Sequence, residues 1–157
     1  MQMKIIIDTR EKPQAIKSIK ATFERLGVEY EVRKLDTADY MNPEKPEILV
    51  DRKQNLSEVI SNLGNKKSRF YRECERANSE GKRLIVLVEH GKGIEKLEDV
   101  ALKWENPNYG NRKLCMSSRE LLNRMYKVQV MYGVEWQFCD KKRTGERLVE
   151  ILRRINK

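Results

Sequence analysis

Asp39, Asp51 and Lys53 are the side chains whose types and spacing are best suited to chemistry. Residues 48–53 have the pattern of a strand, and successive side chains of a strand point to opposite faces. Asp51 and Lys53 therefore face the same way, about 6.6 Å apart at roughly 3.3 Å per residue. The prolines in segment 42–46 exclude a strand interior and predict a turn between Asp39 and this strand.

A turn that folds Asp39 back beside the strand would bring two carboxylates and an ammonium to one place. This is the minimum set of groups for metal-assisted phosphodiester hydrolysis. The carboxylates hold one or two Mg²⁺ ions, which bind the phosphate and lower the pKa of an attacking water, while the lysine orients that water or stabilises developing charge. The alternative is structural: Asp39 is a turn residue, and Asp51, Arg52 and Lys53 are a solvated strand end.

The histidine and cysteine content narrows the choice of metal. His90 is the only histidine, which excludes multi-histidine metal sites and leaves Ser-His-Asp or Cys-His catalysis only if that residue is the base. The three cysteines lie far apart without a CxxC motif, which supports neither a zinc ribbon nor a disulfide framework. Carboxylate oxygens favour hard ions, and we expect Mg²⁺ or Mn²⁺.

The charge of the chain favours a polyanionic partner. The 157 residues carry 33 Lys and Arg against 24 Asp and Glu, a formal charge of +9. Basic residues cluster after the predicted strand: Lys66, Lys67, Arg69, Arg72 and Arg76. Such a cluster supplies salt-dependent, sequence-independent affinity for DNA, although a solvated helix face has the same composition.

The apolar segments are too short for a membrane partner. The longest apolar runs fall far below the roughly 20 residues of a membrane helix, and no secretory signal is present. We therefore expect no membrane partner and an intracellular location, either cytoplasmic or associated with the nucleoid.

Hydrophobic periodicity predicts one α/β domain over residues 1–157, in which strands and helices alternate. The predicted strands are 3–8, 28–35, 48–53, 84–88 and 134–138. Helices are predicted from Pro13 to Leu26, from Ser57 as N-cap to Leu63, and from Arg69 to Ser79. A fourth predicted helix runs from Ser117 or Ser118 to about residue 132. A fifth starts at Thr144, and its apolar residues Leu148, Ile151, Leu152 and Ile155 lie on one face. Residues 91–115 are predicted to be mostly loop with a short helical piece.

Three short strings, in order along the chain, resemble one nuclease family. They are DTREK at 8–12, ADY at 38–40 and ILVDRK at 48–53. They resemble the nuclease domain of the XPF-type structure-specific endonucleases, a branch of the PD-(D/E)XK restriction-endonuclease-like superfamily, whose pattern reads D-x-R-E, then G-D-Y or G-D-F, then V-E-R-K. Residues 69–70, 83–89 and 129–138 extend the resemblance over nearly the whole chain, with Gln137 offset. The resemblance implies a mixed central sheet flanked by helices and a metal-dependent DNA endonuclease.

Carried over by position, the resemblance implies roles for single residues. Asp39, Asp51 and Lys53 would be the metal-binding and catalytic residues, and Glu11 a further acidic residue of the catalytic site. Asp8 would bind the metal or contact one of the residues that bind it. Alternatively, it caps the helix that starts near Pro13. The residues that we assign to DNA binding, from the resemblance and from the basic cluster, are Arg10, Arg52, Lys66, Lys67, Arg69 and Arg72.

The chain also departs from the family pattern. Asp51 stands where the family usually has glutamate, although the wider superfamily accepts either acid. Ala38 replaces a glycine, so a positive φ at this position would strain the site. Ser57 stands where aspartate is expected, which keeps a helix cap but not a charge, and Glu73 stands where glutamine is frequent.

The resemblance implies branched DNA, such as flaps, forks or junctions, as the substrate, and a homodimer or a partner subunit as the assembly. In that family a helix-hairpin-helix domain usually follows the nuclease domain, and we expect none within residues 1–157. Two alternatives remain open. One is a catalytically degenerate module that binds DNA or a partner, and the other is a junction resolvase or general duplex nuclease of the same superfamily.

Overall fold

The structure is a computed structural model that describes residues 3–90, 93–109 and 115–153. Within these residues, six strands form one mixed sheet in the order β2-β1-β3-β4-β5-β6. The strands are β1 (Lys4–Ile7), β2 (Glu29–Val32), β3 (Tyr40–Met41), β4 (Ile48–Lys53), β5 (Arg83–Glu89) and β6 (Glu135–Cys139). Their β-branched and apolar residues suit a sheet that is covered on both faces.

The short strand β3 determines where the acidic residues meet. It runs antiparallel to both of its neighbours, whereas the other neighbouring strands are parallel. Tyr40 pairs with Ile7 of β1 on one side and with Val50 of β4 on the other. The residue before β3, Asp39, therefore lies near the carboxyl ends of β1 and β4.

Helices cover both faces of the sheet. They are α1 (Lys17–Arg25), α2 (Leu56–Leu63), α3 (Arg69–Ser79), α4 (Asp99–Leu102), α5 (Ser118–Tyr132) and α6 (Thr144–Leu152). The helices α2 to α5 share one apolar core with Leu49 and Val86, and α1 and α6 share the other with Val50 and Leu87. Leu49 and Val50 follow one another in β4 and enter opposite cores, as the alternation of a strand requires.

The predicted α/β architecture is confirmed, with two differences at helix starts. The first helix begins at Lys17 rather than Pro13, because residues 12–15 form a turn in which Ala15 N donates to the carbonyl of Lys12 at 2.9 Å. The second helix is capped by Asn55 rather than Ser57, because the Asn55 side chain accepts from Glu58 N at 2.8 Å.

The longest helix in the described part of the chain, α5, has the end signals that its sequence predicts. Ser117 Oγ accepts from Glu120 N at 3.1 Å, and Gly133 ends the helix in the left-handed region with a φ of 68°. The region 91–115 contains the predicted short helix, α4; its residues 91–92 and 110–114, like Ile155 of the last predicted stripe, lie outside the described ranges. Across those ranges, no helix has the length and apolar character needed to cross a bilayer.

Candidate active site

The β3–β4 hairpin brings Asp39 beside Asp51. Asn42 organises the turn, because its side-chain and backbone oxygens accept hydrogen bonds from the turn residues that follow it. Asp39 N donates to Val50 O at 3.0 Å, and Asp39 Oδ2 accepts from Arg52 N at 2.9 Å. Both hydrogen bonds hold Asp39 against the strand that carries Asp51.

Lys53 lies on the same side of β4 as Asp51, as strand alternation predicts. Its Nζ is 2.8 Å from Asp51 Oδ2 and 3.9 Å from Glu58 Oε2. It also lies 4.7 Å from the centre of the buried Phe70 ring, close enough for a cation–π contact. The two carboxylates and the ammonium thus line a single cavity of about 210 Å³.

Electrostatics in this cavity favour a neutral Asp39 and a charged Lys53. Enclosure by the protein and the negative charge of Asp51 both disfavour ionisation, so the pKa of Asp39 is raised well above its ordinary value. Burial also disfavours the Lys53 ammonium, but the carboxylates of Asp51, Glu58 and Asp39 together outweigh this, and the pKa of Lys53 is raised. Lys53 is therefore a cation at neutral pH, and a further cation near Asp39 would relieve the repulsion between the carboxylates.

Ala38, just before Asp39, has an unusual backbone conformation. Its φ is 68°, and it is the one residue other than glycine with a positive φ in the described ranges. A left-handed conformation is costly for alanine, so the strain expected from replacing glycine is present. Glu73 of α3 holds this conformation, because its Oε1 accepts from Ala38 N at 3.3 Å. Burial and the charge of Asp51 raise the pKa of Glu73.

Arg52 is buried between two carboxylates. Its Nε donates to Glu11 Oε2 at 2.7 Å, and its Nη1 donates to Glu89 Oε1. The Tyr40 hydroxyl donates to Glu11 at 2.7 Å, and the Thr144 hydroxyl donates to Glu89 at 2.6 Å. Only 4% of the Arg52 side chain is exposed, so this arrangement is at odds with the predicted contact between Arg52 and DNA. Glu11 lines the cavity as predicted, but as the partner of Arg52.

Asp8 is fully buried behind the cavity. Its Oδ1 accepts from Leu35 N at 2.8 Å, and its Oδ2 accepts from the backbone N and Nε of Arg10. The described lining of the cavity includes Arg10 but not Asp8. Asp8 therefore orients Arg10 at the rim, and the structure does not bring its carboxylate together with Asp39 and Asp51 as a metal ligand. Nor does it cap α1, which begins at Lys17 without a side-chain cap.

The predicted DNA-binding residues divide between the cavity and its surroundings. Arg10 and Arg69 line the cavity, at 3.7 Å and 3.8 Å from Glu73 Oε1. Lys66 lies at a separate cavity beside α5, and Lys67 is exposed in the loop before α3. Arg72 lies on the outer face of α3.

Sequence reasoning missed three polar residues of the cavity: Gln54, Glu58 and Asn62. Glu58 follows Ser57, the position where the resembled pattern has aspartate, and its Oε1 accepts from Gln54 N at 3.0 Å. The first turn of α2 thus still brings a carboxylate to the cavity, one residue later in the sequence. The sequence signal for Glu58 is the short link: only Gln54 and Asn55 separate β4 from α2, so the first turn of α2 lies close to the end of β4.

Asp39 and Asp51 fit a divalent cation. Asp51 Oδ2 is buried, and the Lys53 ammonium at 2.8 Å is its ion-pair partner among the described residues. No three His, Cys, Asp or Glu side chains of the described ranges form a metal cluster. A pair of carboxylates suits Mg²⁺, which usually keeps several waters and binds through one or two carboxylates and substrate phosphates.

Comparison with known families identifies the fold that surrounds these residues. The sequence profile of the ERCC4 domain matches residues 7–151. The chain belongs to the ERCC4 domain family. The structure is similar to XPF from Aeropyrum pernix, with a TM-score of 0.67 and 20% identity over 96% of this chain and 63% of that one.

A second structure, XPF from Aeropyrum pernix in complex with DNA, matches this ERCC4 domain with a TM-score of 0.69 and 22% identity over 97% of this chain and 64% of that one. The chain thus spans less than two thirds of the archaeal XPF chains that it matches. No curated protein sequence matches it significantly. The predicted XPF-type nuclease domain and its mixed sheet are confirmed.

The hydrogen bond from Ala38 to Glu73 can be tested through stability. We expect Glu73→Leu to lower the free energy of unfolding by about 1–3 kcal/mol, because it leaves the buried Ala38 N–H without an acceptor. Glu73→Gln keeps an acceptor oxygen and should stay close to the parent chain. Urea unfolding of the three proteins measures the difference; equal losses in both variants would contradict the role of the acceptor.

The raised pKa of Asp39 predicts a pH-dependent stability in the absence of metal. The unfolded state ionises near the ordinary value of 3.8, so folding stability is lost as pH rises from there through the raised pKa of the folded state. We therefore expect Asp39→Asn to raise the melting temperature in EDTA, and by more at pH 8 than at pH 5. The matched control is Asp140→Asn, at an exposed aspartate. A gain that is equal at both pH values, or absent, would contradict the repulsion between Asp39 and Asp51.

Proposed function

We propose that this ERCC4 domain is a metal-dependent endonuclease that hydrolyses phosphodiester bonds in branched or structured DNA, such as flaps, forks or junctions. One observation carries the proposal: Asp39, Asp51 and Lys53 line the same cavity, with the lysine ammonium 2.8 Å from Asp51. Membership of the ERCC4 domain family supports a nuclease. The archaeal XPF structure in complex with DNA supports DNA as the partner.

Each residue of the cavity has a distinct part in this proposal. Asp39 and Asp51 would hold the Mg²⁺ or Mn²⁺ ion, which when bound polarises the phosphate and lowers the pKa of a water molecule. Lys53 acts as a cation, because its raised pKa keeps it protonated; it donates hydrogen bonds to the phosphate or to the attacking water. Arg10 and Arg69 bind phosphate at the rim, and the ion pair between Glu11 and Arg52, which also lines the cavity, positions β4.

The assembly and location are parts of the same proposal. We expect a homodimer or a complex with a partner subunit, acting inside the cell in the cytoplasm or on the nucleoid. Light scattering over a range of concentrations tests the homodimer. A monomer mass that does not change with concentration would contradict the homodimer.

A catalytically degenerate module is the second candidate, and the alanine at position 38 and the serine at position 57 favour it. The contact from Glu73 to Ala38 and the carboxylate of Glu58 argue against it, because both compensate for these departures within the cavity. A junction resolvase or general duplex nuclease differs from our proposal only in the ranking of substrates.

Cleavage assays separate these candidates. End-labelled duplex, flap, fork and four-way junction DNA would be incubated with Mg²⁺ or Mn²⁺, with Asp51→Asn and Lys53→Ala beside the parent chain. We expect metal-dependent cutting of branched DNA, lost with Asp51→Asn and reduced about 10²–10³-fold with Lys53→Ala, the loss typical of one charge-stabilising donor.

The controls for cleavage are Asp140→Asn and Lys17→Ala, which remove matching charges at exposed positions away from both cavities and should cut normally. Bound but uncut DNA would favour the degenerate module. A preference for four-way junctions, or no preference among the four DNAs, would favour the other nuclease types.

Metal binding is a separate prediction. Calorimetric titration with Mn²⁺ should detect a site in the parent chain and in Asp140→Asn. Asp39→Asn should weaken the binding at least about tenfold, since even residues behind a metal ligand contribute that much to affinity. Equal affinity in all three proteins would exclude Asp39 as a ligand.

A further inference from the structure

A second cavity of about 570 Å³ opens beside the catalytic one. The two cavities share three lining residues, Arg10, Arg69 and Glu73. We call the second cavity the α3 groove; its lining residues are Arg10, Lys34, Leu35, Asp36, Arg69, Arg72, Glu73, Arg76 and Glu80. Because the lining is shared, the two cavities adjoin at Arg10, Arg69 and Glu73, and a chain molecule whose reacting group lies at Asp39 would reach the α3 groove past these three residues.

Hydrogen bonds fix both walls of the α3 groove. One wall is the outer face of α3, and the other is the segment 34–37 that follows β2. Arg76 joins the walls, because its Nη1 donates to the carbonyl oxygen of Asp36 and to Thr37 Oγ1. Arg10 holds the inner end, where its Nη2 donates to Leu35 O at 3.3 Å. The groove is thus a built feature of the fold.

Two cations of the α3 groove have no partner among the residues that the structure describes. Lys34 and Arg72 are exposed, and neither side chain makes an ion pair or a hydrogen bond with any described residue. They belong to opposite walls, Arg72 to α3 and Lys34 to the segment after β2. Arg69, Arg72 and Arg76 lie three and four residues apart, so they share one face of α3.

The charge of the groove matches a polyanion. Its lining has five cations against three carboxylates, and two of the carboxylates are already engaged. Glu73 accepts a hydrogen bond from Ala38, and Glu80 lies 3.3 Å from Lys82. Asp36 is the remaining carboxylate, and Lys34, Arg72 and Arg76 form no ion pair with a described residue. Arg76 uses Nη1 for its hydrogen bonds to segment 36–37, so Lys34 and Arg72 are the cations left to contact phosphates.

We propose that the α3 groove binds the DNA backbone on one side of the scissile phosphate, with Lys34 and Arg72 as the phosphate contacts. This inference rests on the proposed function and adds to it the path of the DNA. Lys34 was not recognised from sequence, because it lies 32 residues before the basic cluster. The DNA passes along the outer face of α3, away from Lys66, which lies at a separate cavity beside Arg124.

The salt dependence of DNA binding tests the path. Binding of fluorescent duplex DNA would be measured by anisotropy in EDTA at several NaCl concentrations, for the parent chain and for the double variant Lys34→Gln/Arg72→Gln. The control is Lys17→Gln/Arg119→Gln, which removes one exposed lysine and one exposed arginine from α1 and α5 and so matches the change in net charge. A third variant, Lys66→Gln/Lys67→Gln, tests the alternative path.

We expect the slope of log K against log [NaCl] to be shallower by about 1.8 in Lys34→Gln/Arg72→Gln, because each lost phosphate contact removes about 0.9. The control should keep the slope of the parent chain. Equal slopes in the parent, the control and Lys34→Gln/Arg72→Gln would overturn the inference, as would a loss confined to Lys66→Gln/Lys67→Gln.

Failure of the inference and failure of the proposed function give different results. A shallower slope in a chain that cuts no DNA supports the α3 groove and contradicts the nuclease. An unchanged slope in a chain that cuts DNA contradicts the α3 groove and leaves the nuclease standing. A parent chain that binds no DNA overturns both.

Discussion

Repulsion between Asp39 and Asp51 is the constraint on which the rest of the site depends. Two carboxylates enclosed by protein cannot both ionise without cost, and the pKa of Asp39 is raised as a result. Lys53 offsets one negative charge from within β4, at 2.8 Å from Asp51. A divalent cation would neutralise the remaining negative charge of the two carboxylates. The repulsion that destabilises the metal-free fold would therefore also favour binding of the metal.

Holding two repelling groups together requires rigid backbone on both sides. On one side, Ala38 takes a left-handed conformation that alanine disfavours, and the buried carboxylate of Glu73 fixes it. On the other side, alternate side chains of β4 point in different directions. Asp51 and Lys53 face the cavity, and Arg52 between them is anchored by hydrogen bonds to Glu11 and Glu89. Arg52 thus anchors the end of the strand whose Asp51 and Lys53 side chains line the cavity.

Local patterns in the sequence predicted the turn that brings Asp39 beside β4 and the strands other than β3, although β2 ends at Val32 rather than Leu35. The apolar run and charged end of β4 gave its bounds, and the prolines before it predicted the turn that returns Asp39. Contacts between distant elements were not predictable, because a pattern does not show which helix lies over a strand end. The acceptor for Ala38 comes from α3, and the anchor for Arg52 comes from β5. For this reason the predicted contact between Arg52 and DNA did not anticipate that the side chain is buried in ion pairs.

The anchor of Arg52 also extends to the opposite face of the sheet. Glu89 uses one carboxylate oxygen for Arg52 and the other for Thr144, the first residue of α6. Two buried charges and a hydroxyl thus connect β4 to α6, a helix that does not line the cavity. Because a buried charge that loses its partner is costly, any displacement of α6 must also disturb Arg52 and, through the backbone, both Asp51 and Lys53. The geometry of the carboxylates is therefore a property of both layers of the domain.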